Sequence, residues 1–403
     1  MAPSTVILGG GVIGSSIAYH LSLRGAPCTV VERQHEIATA ASGKAAGFLG
    51  SNWGDGKMTE SLHRDSFAMH EALADTLGLQ SFRKLPALKV TQEDSSSQRQ
   101  TTPLVGWLDN EKCNAAVLDE ASAQVDPLEM SAALMRAAQA SGHCILRTGE
   151  ECVGIVTEPS GDEGGAGRVS TGVRLASGEQ IACDQLVVAL GPWSCLVEEW
   201  LGVSVPVEGV WSTSILYDGA SSPARALASE PRALFCAEDG RGCHLEVYPR
   251  PNGDVYVAGC GGSRIVTPET LRAGELPPSE TDAPDLSRVS AAEQSLGDLC
   301  PAFVGRRSTH QQACVRPVSP DGLPILGPLP GVGKTYVATG HGPWGVLWAP
   351  MTGLAMSELL LDDESSSLNL RAFAPRRFDS LTYRTLMKQR GRNKSGKQVG
   401  EQW

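Results

Sequence analysis

The stretch Thr5-Val6-Ile7-Leu8-Gly9-Gly10-Gly11-Val12-Ile13-Gly14 decides the fold. Its first four residues are apolar or β-branched, the composition of a buried strand. Gly9, Gly11 and Gly14 then form G-x-G-x-x-G, and Ile13, Ile17 and Leu21 follow at helical spacing. A second strand reads Cys28 to Val31 and ends at Glu32, 18 residues after Gly14. Each glycine has a task. The first permits a tight turn, the second lets backbone approach a pyrophosphate, and the third lets helix and strand pack closely. The phosphates then meet the free N–H groups and positive dipole end of the helix. An acidic residue at Glu32 suits a free ribose hydroxyl, which points to NAD or FAD rather than NADP.

Outward from this start, two kinds of segment alternate. Gln185 to Ala189 is a buried strand running into Gly191-Pro192-Trp193, and Thr335 to Thr339 is a final core strand. It leads to Gly340-His341-Gly342-Pro343-Trp344-Gly345 and a helix from about Ala349 to Leu361. Asp126 to Gly142 reads as an amphipathic helix with Pro127 in its first turn. Between these lie antiparallel-type strands. Ile145 to Thr148, Val153 to Thr157 and Val169 to Leu175 also read as strands. Glu246 to Tyr248 and Asp254 to Ala258 flank the turn Pro251-Asn252-Gly253. Gln92 to Thr102, Pro159 to Gly167 and the proline-rich, acidic stretch Thr267 to Ser287 read as exposed loops. The expected architecture is α/β: a discontinuous Rossmann-like nucleotide domain with an inserted antiparallel-sheet domain. The expected boundaries are 1–82, 125–205 and 312–375 for the first, and 83–124 and 206–311 for the second.

Composition narrows the partners. The 403 residues carry 41% hydrophobic and 20% charged side chains, an ordinary globular balance. A formal net charge of -11 repels phosphate backbones, so no nucleic-acid partner is expected. Eleven cysteines, without CxxC spacing, argue against a disulfide framework and a zinc site. No metal is expected, and a reducing, cytoplasmic location is. No run is apolar enough to span a bilayer, and no targeting segment is read at either end. Residues 376–403 form a basic tail with eight Lys or Arg and two acidic residues. It reads as a solvated terminus; the alternative is a contact arm for an acidic partner or membrane surface.

Several separate stretches share one likeness. They are V-I-L-G-G-G-V-I-G with Glu32, A-A-S-G-K-A-A-G at Ala40 to Gly47, and L-V-V-A-L-G-P-W-S at Leu186 to Ser194. V-R-P-V-S-P-D-G-L-P-I-L-G at Val315 to Gly327 and G-H-G-P-W-G-V near the end complete the set. Together the chain resembles the D-amino-acid oxidase, glycine oxidase and sarcosine oxidase superfamily. S-G-K-A-A-G-F-L and Y-P-R-P-N-G look most similar to eukaryotic FAD-dependent oxidoreductases of unassigned substrate.

The resemblance implies FAD as cofactor. It implies cofactor contacts from Gly9, Gly11, Val12, Ile13 and Gly14, and from Glu32 and Arg33. The loop Ala41, Ser42, Gly43, Lys44, Ala46 and Gly47 would run along the pyrophosphate toward the flavin. Val153 sits where the family has a backbone contact to adenine. Gly191, Trp193, Cys314, His341, Gly342, Trp344, Gly345 and Val346 complete the cofactor set. The implied reaction is oxidation of a C–N bond in an amino acid or N-substituted amino acid, with hydride transfer to flavin.

Arg316 resembles the arginine that clamps substrate carboxylate in glycine oxidase, a task suited to a planar guanidinium. Glu246 matches a position where glycine oxidase has a tyrosine facing the substrate; it is either an ammonium partner or an outward strand charge. Tyr248, two residues on, faces the same side. Cys314 matches, in sarcosine oxidase-like relatives, a cysteine that binds flavin covalently, although the residues after it look like non-covalent glycine oxidase. The electron acceptor is oxygen or another molecule. No lysine occurs between Lys112 and Lys334, so Lys44 is the main candidate for oxygen activation, and weak oxidase activity is expected. The alternatives are a flavin-binding interaction protein with weak or lost catalysis and, more remotely, an NAD-dependent dehydrogenase.

Overall fold

The computed structural model describes residues 2–92, 105–160, 167–220, 222–274 and 283–379. At its centre is a six-stranded sheet. Its order is Ile325–Pro328, Thr335–Thr339, Gln185–Val188, Thr5–Leu8, Cys28–Glu32 and Cys144–Thr148. All neighbours run parallel except Ile325–Pro328, which returns antiparallel along Thr335–Thr339. All four side chains of Thr5–Leu8 are buried, as a central parallel strand requires.

The helix Val12–Leu23 leaves this strand through the glycine turn. Gly9 has φ +104°, a conformation that L side chains rarely adopt. A Cβ on Gly14 would lie 2.0 Å from the Gly9 carbonyl oxygen, so only glycine permits this approach of helix to turn. The helix packs against Pro127–Ala140 and against Gly345–Asp362. Pro127–Ala140 starts where expected. The Asp126 carboxylate caps it, accepting the N–H groups of Leu128 at 2.9 Å and Glu129 at 3.1 Å.

Gly345–Asp362 begins four residues earlier than its sequence suggests and contains Pro350. Pro350 has no N–H to give the Val346 carbonyl one turn back. His70, from the helix Glu60–Leu77, supplies a ring nitrogen instead, 3.1 Å from the carbonyl oxygens of both Val346 and Leu347. The long helix Glu60–Leu77 was not read from the sequence.

The second large sheet is mostly antiparallel. Its order is Arg264–Val266, Glu208–Tyr217, Val255–Ala258, Glu246–Pro249, Ala233–Cys236, Ala87–Gln92 and Cys113–Asp119. His310–Val318 pairs with Glu208–Tyr217 over nine residues. The expected boundary at 311/312 therefore runs through one continuous strand of this sheet. The expected hairpin around Pro251-Asn252-Gly253 is present. One core joins the two sheets, with Val6, Leu186 and Val188 in the same buried cluster as Trp211, Ala313 and Val315.

One loop expectation is corrected. Within Thr267 to Ser287, Pro268–Arg272 is helical with Thr267 as its cap, and a helix starts at Leu286 capped by Asp285. Prolines among acidic residues suggested a loop, but Pro268 sits in a helix's first turn and Asp285 is a helix cap. The expected loops at Gln92–Thr102 and Pro159–Gly167 fall mostly outside the described residues. So does the basic tail beyond Asp379. Its first part is anchored: Arg377 pairs with Asp321 at 2.7 Å, so this arginine belongs to the folded body. None of the eleven cysteines is joined in a disulfide. Among the described residues no group could hold a metal ion, and no helix is long and apolar enough to cross a membrane.

Candidate functional site

A cavity of about 380 Å³ opens at the carboxyl ends of the central strands. This is where open parallel sheets bind ligands. One end is walled by Glu32, Arg33, Gln34, Cys152, Trp193 and Trp200. Its middle is Gly9, Gly11, Val12, Ile13, Ala41 and Ser42, and the other end is Arg316, His341, Gly342, Gly345 and Val346. Gly191 also lines it, held by the Thr339 hydroxyl, which donates to the Gly191 carbonyl at 2.7 Å.

The features a dinucleotide needs converge here. The helix Val12–Leu23 starts from Gly11, which has no side chain to cap it, and has no acidic residue in its first turn, so its positive end faces the cavity. Glu32 is held by two backbone donors, Gly10 at 2.8 Å and Gln34 at 2.9 Å. Ser42 accepts the Val12 N–H at 3.0 Å and so ties the small-residue loop to the glycine turn. Arg33 stacks 4.5 Å over the Trp193 ring and forms a flat wall at the Glu32 end. These residues fit an anionic pyrophosphate between a ribose partner and an apolar ring site.

Not every expected cofactor residue lines the cavity. Gly14 and Gly43 act through backbone shape: the Gly43 N–H donates to the Ala38 carbonyl at 2.8 Å and tightens the loop. Val153 has an exposed side chain, and its neighbour Cys152 faces the cavity instead. The contact expected of Val153 is a backbone one, which the direction of its side chain does not decide. Lys44 lines neither this cavity nor the next. Its ammonium donates to the Ala313 carbonyl at 3.2 Å. Its own carbonyl accepts from the Tyr256 hydroxyl at 2.9 Å and from the Gln312 amide at 3.1 Å. Lys44 thus fastens its loop to the antiparallel sheet, and among the described residues no lysine lines either cavity.

A second chamber of about 140 Å³ adjoins the first. Ala41, Ala45, Arg316, Pro343 and Val346 line both. Ala46 and Gly47 form one wall, and Cys314, Trp344, Glu246 and Tyr248 also face inward. Cys314 lines this chamber rather than the larger cavity.

The sequence reading missed much of the chamber's aromatic lining. Phe48, Trp53, Phe235 and Tyr256 join Tyr248 and Trp344 there. Trp53 lies 4.9 Å from Phe235 and 5.8 Å from Trp344, ring centre to ring centre. Its indole N–H donates to Asp119 at 3.0 Å. His63 braces this loop, its Nδ1 lying 2.9 Å from the Gly50 carbonyl oxygen and its ring 4.6 Å from Trp344. The one sequence signal was Trp53 between small residues just after the Ala40–Gly47 loop.

Polar groups in and around the chamber are organised. Arg316 donates to the Ser212 hydroxyl at 2.9 Å. The Tyr248 hydroxyl donates to the Glu246 carboxylate at 2.6 Å. Burial, and then the Glu246 charge, push the Tyr248 hydroxyl well above the usual tyrosine range, so it stays a donor. His341 is buried and its pKa is lowered to about 3 by desolvation, so it is neutral. Its Nε2 lies 3.2 Å from the Thr352 hydroxyl. A single antiparallel bridge, Val318 to His341, joins the strand of Arg316 to the Gly342–Trp344 turn.

With this geometry in hand, the comparisons are specific. The glycine oxidase of Bacillus subtilis (strain 168) is 26% identical over 404 residues, covering 91% of this chain and 95% of that one. The hydrogen cyanide synthase subunit HcnC of Pseudomonas aeruginosa is 25% identical, covering 93% and 95%. Among solved structures, glycine oxidase from Geobacillus kaustophilus superposes with a TM-score of 0.74 at 21% identity, covering 93% of this chain and 99% of that one. L-proline dehydrogenase from P. horikoshii superposes with a TM-score of 0.75 at 18% identity, covering 94% and 98%. At those identities the structures establish the fold. The model of the DAO family, FAD dependent oxidoreductase, matches residues 4–359, and the chain belongs to that family.

Proposed function

We propose that this FAD-dependent oxidoreductase oxidises the C–N bond of an amino acid or N-substituted amino acid. When bound, FAD supplies the hydride acceptor for a C–H beside the amine nitrogen. The observation that carries the reading is Arg316, which lines both the cofactor cavity and the aromatic chamber. A guanidinium there binds a carboxylate in two-pronged fashion and orients the adjacent carbon toward the cofactor. Ser212 holds the guanidinium in place.

The rings of Phe48, Trp53, Phe235 and Trp344 exclude water from the chamber, which strengthens the Arg316–carboxylate attraction. Neutral His341 keeps an additional positive charge away from the cofactor's reacting end. The similarity to glycine oxidase supports an amino-acid substrate. That, among the described residues, no lysine lines the two cavity walls supports slow use of oxygen and a different preferred acceptor.

The test is an anaerobic screen of primary and N-alkyl amino acids against the FAD-loaded protein. Bleaching of the flavin absorbance by at least one carboxylate-bearing amine is expected, with loss of bleaching in Arg316→Met. If no amine bleaches the flavin, the reading fails and a flavin-binding interaction protein replaces it.

A further inference from the structure

The chamber has a cation at one end and an anion at the other, and the sheet register sets the distance between them. Arg316 lies four residues along its strand from Gln312. Gln312 pairs with Ser214. The pair Ile215–Val257 puts Ser214 beside Ala258, and Ala258 pairs with Glu246. Glu246 is therefore three strands across from the strand of Arg316. At about 3.3 Å per residue and about 4.8 Å per strand, the two Cα atoms are about 20 Å apart on a flat sheet. That exceeds the combined reach of an arginine and a glutamate. Both nevertheless line the same chamber.

A carboxylate and the amine on its own α-carbon sit on either side of a single carbon. One α-amino acid headgroup cannot engage both ends. With the carboxylate at Arg316, its α-amine stays near the cofactor, and Glu246 faces whatever lies further along the substrate.

We infer that the substrate is an elongated dibasic amino acid, whose carboxylate is held by Arg316 and whose distal cationic group is held by Glu246. This rests on the amino-acid reading above and names its side chain. The wall between the two ends suits such a chain. Phe235, Tyr248 and Tyr256 offer ring surfaces to methylene groups, and aromatic faces beside a carboxylate attract an ammonium. The Tyr248 hydroxyl fixes the Glu246 carboxylate by its 2.6 Å hydrogen bond, so the anion is aimed before the ligand arrives.

A dead-end ligand tests this without turnover. 6-Aminohexanoate carries a carboxylate and a distal ammonium but no α-amine; hexanoate lacks the ammonium. Their binding to the FAD-loaded protein is read by calorimetry and by the shift of the flavin spectrum. A charge-assisted contact of about 1.5–3 kcal/mol converts to roughly 10- to 100-fold tighter binding of 6-aminohexanoate. Glu246→Gln is expected to erase that preference while leaving hexanoate affinity within about twofold.

Turnover separates the two readings. Lysine or ornithine, in one enantiomer, is expected to bleach the flavin faster than norleucine at equal concentration. If norleucine or glycine is preferred, or 6-aminohexanoate binds no tighter than hexanoate, the dibasic assignment is overturned and the amino-acid reading stands. If no amine bleaches the flavin at all, both fall.

Discussion

The Glu32 carboxylate accepts the Gly10 backbone N–H at 2.8 Å and the Gln34 N–H at 2.9 Å, clamping the glycine turn to the end of the second strand. One side chain thus shapes the phosphate turn and lines the cavity beside it. Glu32→Ala is expected to weaken FAD binding about 10- to 1000-fold, since each charge-assisted hydrogen bond contributes roughly 1.5–3 kcal/mol. Titration of the apoprotein with FAD, followed by flavin fluorescence quenching, measures this. Wild-type affinity in the variant would refute the role.

Gly14→Ala tests the close approach of helix and turn. The new Cβ would lie 2.0 Å from the Gly9 carbonyl oxygen, which is backbone and cannot simply swing away. Overpacking of this kind costs about 1–3 kcal/mol or more. A lower melting temperature with or without FAD is expected, together with a lower ratio of flavin to protein absorbance. A variant that melts with the wild type would contradict the packing argument.

Arg316→Lys separates charge from shape. Lysine keeps the positive charge but loses the planar fork. Reduction of the flavin under anaerobic conditions is expected to show a substrate dissociation constant raised about tenfold or more. The variant's flavin content should match the wild type. An unchanged constant would remove Arg316 from carboxylate binding.

Three buried histidines set an acid limit on stability. Desolvation lowers His20 and His70 from 6.5 to about 4, and His341 to about 3. The unfolded chain binds these protons more readily than the folded one. Their contribution is therefore complete above pH 6.5 and is lost as pH falls from 6.5 toward 4. Between pH 7 and pH 5 each accounts for about 2 kcal/mol. Thermal melts over that range should fall steadily, and His70→Gln should flatten the slope while keeping a donor for the Val346 carbonyl. An unchanged slope in that variant would exclude His70.

Cys314 lines the chamber rather than the cofactor cavity. FAD is accordingly expected to separate from the chain on acid precipitation, leaving a yellow supernatant. Fluorescent flavin migrating with the protein in a denaturing gel would show a covalent bond instead.

The reduced protein is also expected to reoxidise slowly in air, because Lys44 is turned to the Ala313 carbonyl and away from both cavities. Stopped-flow mixing of the reduced protein with oxygen gives the rate. Rapid reoxidation would require another oxygen-activating group.

The central sheet was legible because each of its signals is local. Thr5–Leu8, the glycine turn and Glu32 are close in sequence, and their spacing follows from strand and helix geometry. The strand Gln185–Val188 and the Pro127–Ala140 helix carried similarly local patterns. The caps Thr267 and Asp285 were read as loop residues because prolines and acidic residues surround them, and proline and aspartate favour loops and helix starts alike. Helix Glu60–Leu77 escaped notice because its mean apolar content is low and its buried face carries His63, Ser66 and His70.

By itself, then, the amino-acid sequence determined a dinucleotide-binding α/β chain, since periodicity and glycine spacing encode backbone geometry residue by residue, and its resemblance to a known family added FAD. Only the tertiary structure decided the chamber. The Phe48–Trp53 stretch, Phe235 and Trp344 come from three distant parts of the chain, and no spacing rule relates them. The same holds for the separation of Arg316 from Glu246. Strand pairing sets that distance, and pairing between strands remote in sequence is fixed by packing of the whole sheet.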